Sequence, residues 1–214
     1  PVVNILGNVA GSRDVLTLQY ELNGGPPVGL RLGPDTMRLA GAGDFNADIP
    51  FSQLQSGANQ LIITARDTNG VVTRKTINVI DSSGPVWPLP YSINWSGLTN
   101  INDVAQVTDG LWTVEGSSIR PVYMAYDRLV AIGDVSWQTY QITVPVTVHA
   151  LNPNGYASPS FGPGVGVLLR WPGHSNDGHQ PWEGVYPLGG ISMYRWTNQY
   201  QRFEIFGNNG AILA

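Results

Sequence analysis

The densest run of chemistry-bearing side chains lies between Trp171 and Trp182, in WPGHSNDGHQPW. His174, Asp177 and His179 fall within six residues of one another. Two imidazoles and a carboxylate form a donor set suited to zinc or another transition ion. Their spacing matches no specific zinc motif, and a hydrated turn between two strands accounts equally well for the Ser, Asn, Asp and Gly beside them. Aromatic residues flank the same loop: Trp171, Trp182, Tyr186, Tyr194, Trp196 and Tyr200. A sugar ring has an apolar C–H face and a polar rim. Stacking rings with His, Asn, Asp or Arg at the edge therefore suit carbohydrate, with Trp182, Tyr186, His174 and Asp177 as the candidate contacts. The same rings can instead fill a sandwich core. Strand alternation along Tyr194-Arg195-Trp196 puts both rings on one face and the guanidinium on the other, so they cannot all meet one ligand.

Other acidic residues give weaker signals. Asp103, Asp109, Asp127 and Asp134 are candidate calcium ligands, but calcium needs six to eight oxygens and no ligand loop of known spacing occurs. Calcium is therefore not indicated, no cofactor is expected, and Asp109-Gly110 reads more simply as a turn. The chain has four Glu: Glu21, Glu115, Glu183 and Glu204. There is no Ser/His/Asp signature, no glycine-rich phosphate loop before a helix and no cysteine nucleophile. Catalysis is not the expected role.

The elements that must position these groups read as strands. From Tyr140, apolar residues recur at every second position through Ile142, Val144, Val146 and Val148, with Gln141, Thr143, Pro145, Thr147 and His149 between them. Period two in β-branched residues predicts a strand with one buried and one wetter face. Residues 1–80 predict seven short strands: Val2–Leu6, Val15–Tyr20, Val28–Leu32, Met37–Leu39, Ala47–Phe51, Ser56–Asp67 and Val71–Ile80. Turn residues separate them, which favours a Greek-key sandwich. Residues 81–90 carry three prolines and read as a stiff linker, with Trp87 placed to pin the two parts together. Beyond it, strands are expected at Val104–Val107, Trp112–Val114, Ser118–Arg120, Tyr126–Ile132, Tyr140–His149, Val165–Trp171, Ile191–Trp196 and Gln201–Phe206.

Composition sets the outer bounds. Charged residues are only 12%, with Gly 26 and Pro 16 of 214, which suits turn-rich all-β structure. A hydrophobic share of 42% and seven Trp argue against disorder. A net charge of −4 and a single lysine, Lys75, give no footprint for nucleic acid. No apolar run reaches the length of a membrane-spanning helix. Pro1 is not an initiating residue, so a processed or excised chain is expected.

Two resemblances follow. Ser56-Gly57-Ala58-Asn59, the alternating Leu61, Ile63 and Ala65, then Asp67 and Gly70 resemble bacterial immunoglobulin-like or fibronectin-type modules. Such modules imply spacing or docking more than chemistry. Thr108-Asp109-Gly110-Leu111-Trp112, Tyr126-Asp127-Arg128-Leu129, Trp137–Tyr140 and Gly164–Trp171 resemble the concanavalin A-like lectin/glucanase jelly roll in its laminin-G-like forms. The fold expectation is therefore all-β, with an immunoglobulin-like sandwich at 1–80, the linker, and a jelly roll at 91–214 cut short. In that fold the concave sheet face holds the ligand groove, which would put Gln141, Thr143, Thr147 and His149 along it, with Arg170; a solvated face is the simpler account. Glucanases of the fold carry Glu-x-Asp-x-x-Glu on one strand, and related alginate lyases carry Gln-x-His. Neither motif stands here. The tail Gly210–Ala214 reads as the start of a further strand, left by truncation or completed by strand donation from another polypeptide. The expected role is non-catalytic carbohydrate binding or adhesion, secreted or at the cell surface. The rivals are a structural subunit joined by strand donation and a piece of a polysaccharide-active enzyme.

Overall fold

The computed structural model describes residues 2–35, 37–82, 87–124, 128–151, 162–196 and 201–214. Tyr126, Asp127, Tyr200, the middle of the 81–90 linker and most of the loop after Asn152 lie outside them. The described chain is all-β, with three short 3₁₀ turns as its only helical elements. No helix is long and apolar enough to cross a membrane.

The first part has six strands, β1 (Val2–Asn8), β2 (Val15–Leu22), β3 (Val28–Gly29), β4 (Asp44–Pro50), β5 (Gly57–Asp67) and β6 (Val72–Asp81). β1 and β4 pair antiparallel in one sheet; β3-β2-β5-β6 form the other. Alternation decides what lies between them. Leu18 and Tyr20 of β2, Leu61 and Ile63 of β5, and Phe45, Ala47 and Ile49 of β4 are buried in one apolar cluster with Leu30. The expected strand at Met37–Leu39 does not form. Asp35 Oδ1 accepts the N–H groups of both Met37 (2.9 Å) and Leu39 (2.8 Å), a local turn that competes with a ladder.

The second part has β7 (Gln106–Asp109), β8 (Trp112–Glu115), β9 (Ser118–Pro121), β10 (Leu129–Ala131), β11 (Gly164–Leu169), β12 (Gly190–Trp196) and β13 (Gln201–Phe206). They form the pairs β7–β10 and β8–β9 and the sheet β11-β12-β13. The tail after Phe206 turns back onto β13, where Leu213 N–H donates to Ile205 O (2.7 Å) and Ile205 N–H to Ala214 O (2.9 Å). The contact is an isolated bridge between Phe206 and Ile212, and no further strand forms after β13 among the described residues.

The strongest strand expectation fails. Residues 141–151 belong to no strand and are exposed throughout. The alternation is present, since Ile142, Val144 and Val146 line one cleft while Gln141, Thr143 and Pro145 do not. What is missing among the described residues is a neighbouring strand, and periodicity describes faces, not partners. Trp87, expected to pin the two parts together, meets residues of the second part among the described residues. It stacks on Tyr91 (5.5 Å) and its carbonyl accepts Trp137 Nε1–H (2.8 Å), while Trp137 packs on Tyr140 (5.8 Å).

Candidate functional site

The join between the two parts is made by β4. Phe45, Ala47 and Ile49 face the apolar core, so alternation turns Asn46 and Asp48 the other way. Both are nevertheless buried, because the second part covers that face. Asn46 Nδ2 donates to Thr108 O (2.7 Å) at the end of β7. Asp48 accepts two hydrogen bonds from the Arg38 guanidinium, at 2.6 and 2.9 Å, and a third from Trp182 N–H at 2.7 Å. Arg38 Nε donates to Asp109 Oδ1, and its Nη1 also donates to Trp182 O. His174 Nε2 lies 2.8 Å from the other Asp109 oxygen and must carry the proton to bond an ionised carboxylate. The Arg38, Asp48 and Asp109 side chains are fully buried, and that of His174 nearly so.

This is an ionic clasp spanning positions 38 to 182. Burial works against the Arg38 charge, but hydrogen bonds and charge from Asp48 and Asp109 outweigh it and hold its pKa above the ordinary arginine value. The Tyr20 phenol is pushed up, first by burial and then by the charge of Asp48. Gln180 adds a rung of its own: its side-chain amide donates to Asp48 O and accepts from Asp48 N–H, both at 2.8 Å, as a neighbouring strand would. Asn4 and Gln106 extend the network from β1 to β7, at 2.5 Å to Asp48 and 2.7 Å to Asn4. At the rim, Arg31 meets Glu183 at 2.5 Å. Gly110 turns the chain after Asp109 at a φ of 77°, and a Cβ there would collide with the Arg128 side chain.

Most of the residues read from sequence as ligand contacts are drawn into this clasp or stand apart. His174 points inward, with Nε2 on Asp109, and packs edge-on against Trp171 (4.8 Å). Its Nδ1 is buried without a hydrogen-bond partner among the described residues. Asp177 and His179 are exposed, and Asp177 accepts backbone N–H groups from His179 (3.4 Å) and Glu183 (3.3 Å), which is turn chemistry. The three do not converge, and no group of three metal-ligating side chains exists among the described residues. Trp182 is half-buried and holds the clasp through its backbone. Tyr186 is exposed, near Gly210. His149 is exposed on the unpaired segment, and Arg170, at a φ of 58°, lies at the cleft. Of the calcium candidates, Asp109 belongs to the clasp, Asp103 accepts from Asn100 Nδ2 (3.2 Å) and Asp134 from Ser136 N–H (2.8 Å). These are three separate places. Each Glu has its own neighbour too: Glu115 pairs with Arg120 at 3.0 Å, and Glu204 is buried between Arg195 and Arg202.

The sheet β11-β12-β13 holds a second feature. Its register places Val165, Tyr194 and Phe203 in one row and Val167, Ser192 and Ile205 in the next, on one face. Tyr194 and Trp196 share that face with ring centroids 4.9 Å apart, while Arg195 points to the other and bonds Glu204 at 2.7 Å, as alternation requires. The apolar face is not covered: Phe203 is 57% exposed, and Leu169, Tyr194 and Ile205 are exposed as well. Opposite Val165, Val167 and Leu169, across a cleft of about 630 Å³, stand Ile142, Val144 and Val146.

Sequence reasoning missed Arg38 and Asp48 altogether. The available signal was Asp48 between apolar residues in the alternating strand Phe45–Ile49 of a chain with few charges, where a charge on a strand has to be solvated or paired. Compared with known protein families, curated proteins and solved structures, the chain matches none.

Proposed function

We propose that this chain is a non-catalytic structural or adhesive module of an extracellular or cell-surface assembly. An immunoglobulin-like sandwich is clasped to an open unit of the lectin/glucanase jelly-roll kind, and the open unit binds polypeptide through strand contacts. One observation carries the reading: the apolar face of β11-β12-β13 and the alternating segment 140–148 confront each other across the cleft with their apolar side chains uncovered. Exposed apolar surface of this kind marks an interaction site, and extended segments with open edges are recognised by adding a strand. Arg38, Asp48, Asp109 and His174 act in this reading as the fastening between the two parts.

Carbohydrate binding is the second reading, favoured by the Tyr194–Phe203 row, where Tyr194 Oη lies 3.0 Å from Gln201 Oε1 and gives a ring shelf a polar edge. Two arrays probed with the same labelled protein separate them, one of extended peptides with alternating apolar residues and one of glycans. Retention by the peptides, lost in Phe203→Asp, is the expected result. Retention by glycans alone would overturn the proposal in favour of the second reading.

A further inference from the structure

The segment Ile142-Thr143-Val144-Pro145-Val146-Thr147-Val148 reads almost the same in both directions about Pro145. Antiparallel strands pair residue to residue in opposite directions, so a palindromic strand is complementary to itself. We infer that the partner of this segment is the same segment of a second copy of the chain, paired antiparallel about a two-fold axis at Pro145. The inference rests on the reading just given and names its partner.

Pro145 selects the edge. Along a strand, the N–H and C=O groups of successive residues point to alternate edges. Pro145 has no N–H, so the edge shared by residues 141, 143, 145, 147 and 149 lacks a donor at its centre. The other edge, formed by Ile142, Val144, Val146 and Val148, is complete. Pairing about Pro145 along that edge makes Ile142–Val148 and Val144–Val146 the hydrogen-bonded pairs. Pro145 then faces its own copy in a non-hydrogen-bonded pair, with its missing donor turned away.

The side chains agree with the same register. Paired residues share a face, so each Ile142 and Val144 of one copy meets Val148 and Val146 of the other on the cleft side. Thr143 meets Thr147 on the wetter side, and Gln141 meets His149. No charged residue lies within residues 140–150, so no like charges oppose the pairing. Val144 and Val146 are each 55% exposed, and among the described residues no backbone hydrogen bond is made by residues 141–150. The segment leaves from a fixed point, because Tyr140 packs on Trp137, which packs in turn on Tyr91 (6.1 Å). The incoming apolar side chains enter the cleft of about 630 Å³ facing Val165 and Val167. The contact is isologous and closes at two copies.

The chain has no cysteine, so single cysteines report the register cleanly. In a non-hydrogen-bonded pair the Cα atoms are about 4.5 Å apart, inside the range a disulfide spans. Pro145→Cys is expected to oxidise to a linked dimer about tenfold or more faster than Thr143→Cys, whose copies sit too far apart along the strands. Sedimentation of the full chain is expected to show a dimer. Val144→Pro, which removes a donor from the pairing edge, abolishes it; Thr143→Pro, which removes one from the other edge, does not. Residue-resolved amide exchange gives a reading without substitution: slow at 142, 144, 146 and 148, fast at 141, 143, 147 and 149. Equal cross-linking of the two cysteine variants overturns the register. A monomer, or protection of these amides in a monomer, overturns the pairing. If peptides are still retained on the array by that monomer, the broader proposal stands without this partner; if they are not, both fall.

Discussion

The two parts of this molecule are stabilised in opposite ways. Of the eleven buried hydrophobic side chains among the described residues, nine lie between Leu18 and Ile63, and only Ile101 and Ala105 come from the second part. Beyond residue 91 the buried side chains are chiefly polar or charged: Thr108, Asp109, His174, Gln180, Arg195 and Glu204. The first part is an ordinary sandwich, in which two sheets remove each other's apolar faces from water. The second has strands but, among the described residues, no layer closing over them, and it is fixed to β4 by charge and hydrogen bonds. An apolar core tolerates small errors of position, because its attraction is non-directional. A buried ionic network does not, because each unpaired member costs its full desolvation. The contrast teaches that the second part takes its position from the first.

The comparison can be broken most severely at the clasp. Arg38→Met leaves Asp48 and Asp109 buried without their cation and is expected to cost about 3–5 kcal/mol in urea unfolding, with the second part becoming the first site of proteolysis. Leu61→Ala strikes the other kind of stability. A fully buried side chain is truncated there, and a loss of about 2–5 kcal/mol is expected. Calorimetry should show it as a lower Tm, with the clasp amides protected until the whole first part unfolds. His174→Phe keeps the ring against Trp171 but deprives one Asp109 oxygen of its donor, for about 1–3 kcal/mol; a loss as large as that of Arg38→Met in the same urea titration would mean that the imidazole, not the guanidinium, holds Asp109.

Smaller effects sharpen the contrast. Tyr20 has a raised pKa in the folded chain, from burial and the Asp48 charge. The neutral phenol is therefore favoured by folding. Its contribution is present in full below the unfolded value near 10.0 and is lost as pH rises through the raised folded value. Urea midpoints measured against pH should begin to fall above about 10.0 and level off beyond the raised folded value for the wild type, and fall less for Tyr20→Phe. Phe203→Ser should change stability least, by about 0.5 kcal/mol or less, because the ring is already in water; a core-sized loss would show that the face is covered in solution.

Much of the fold was legible in the residues. The period-two runs at Leu61–Ala65, Val165–Leu169 and Ile191–Trp196 became strands, and the Asp67–Gly70 turn joins β5 to β6 as its residue types require. The chemistry was less legible. His174, Asp177 and His179 are neighbours in sequence, yet one faces inward and two face outward, since a loop has no fixed period from which to read direction. Arg38, Asp48, Asp109 and His174 are far apart in sequence and meet only because β4 presents one face to each part of the molecule.

By itself the sequence determined most of the strands and their faces. These depend on alternation, turn residues and branched side chains, all of which act over a few neighbouring positions. It also determined the self-complementary run about Pro145, which is a property of order alone. Only the tertiary structure decided which polar faces are buried, that Asp48 binds a guanidinium, and that among the described residues the run from Tyr140 to His149 stands without a neighbouring strand. Burial, ion pairing and strand partnership join residues tens of positions apart, and no local pattern encodes who the distant partner is.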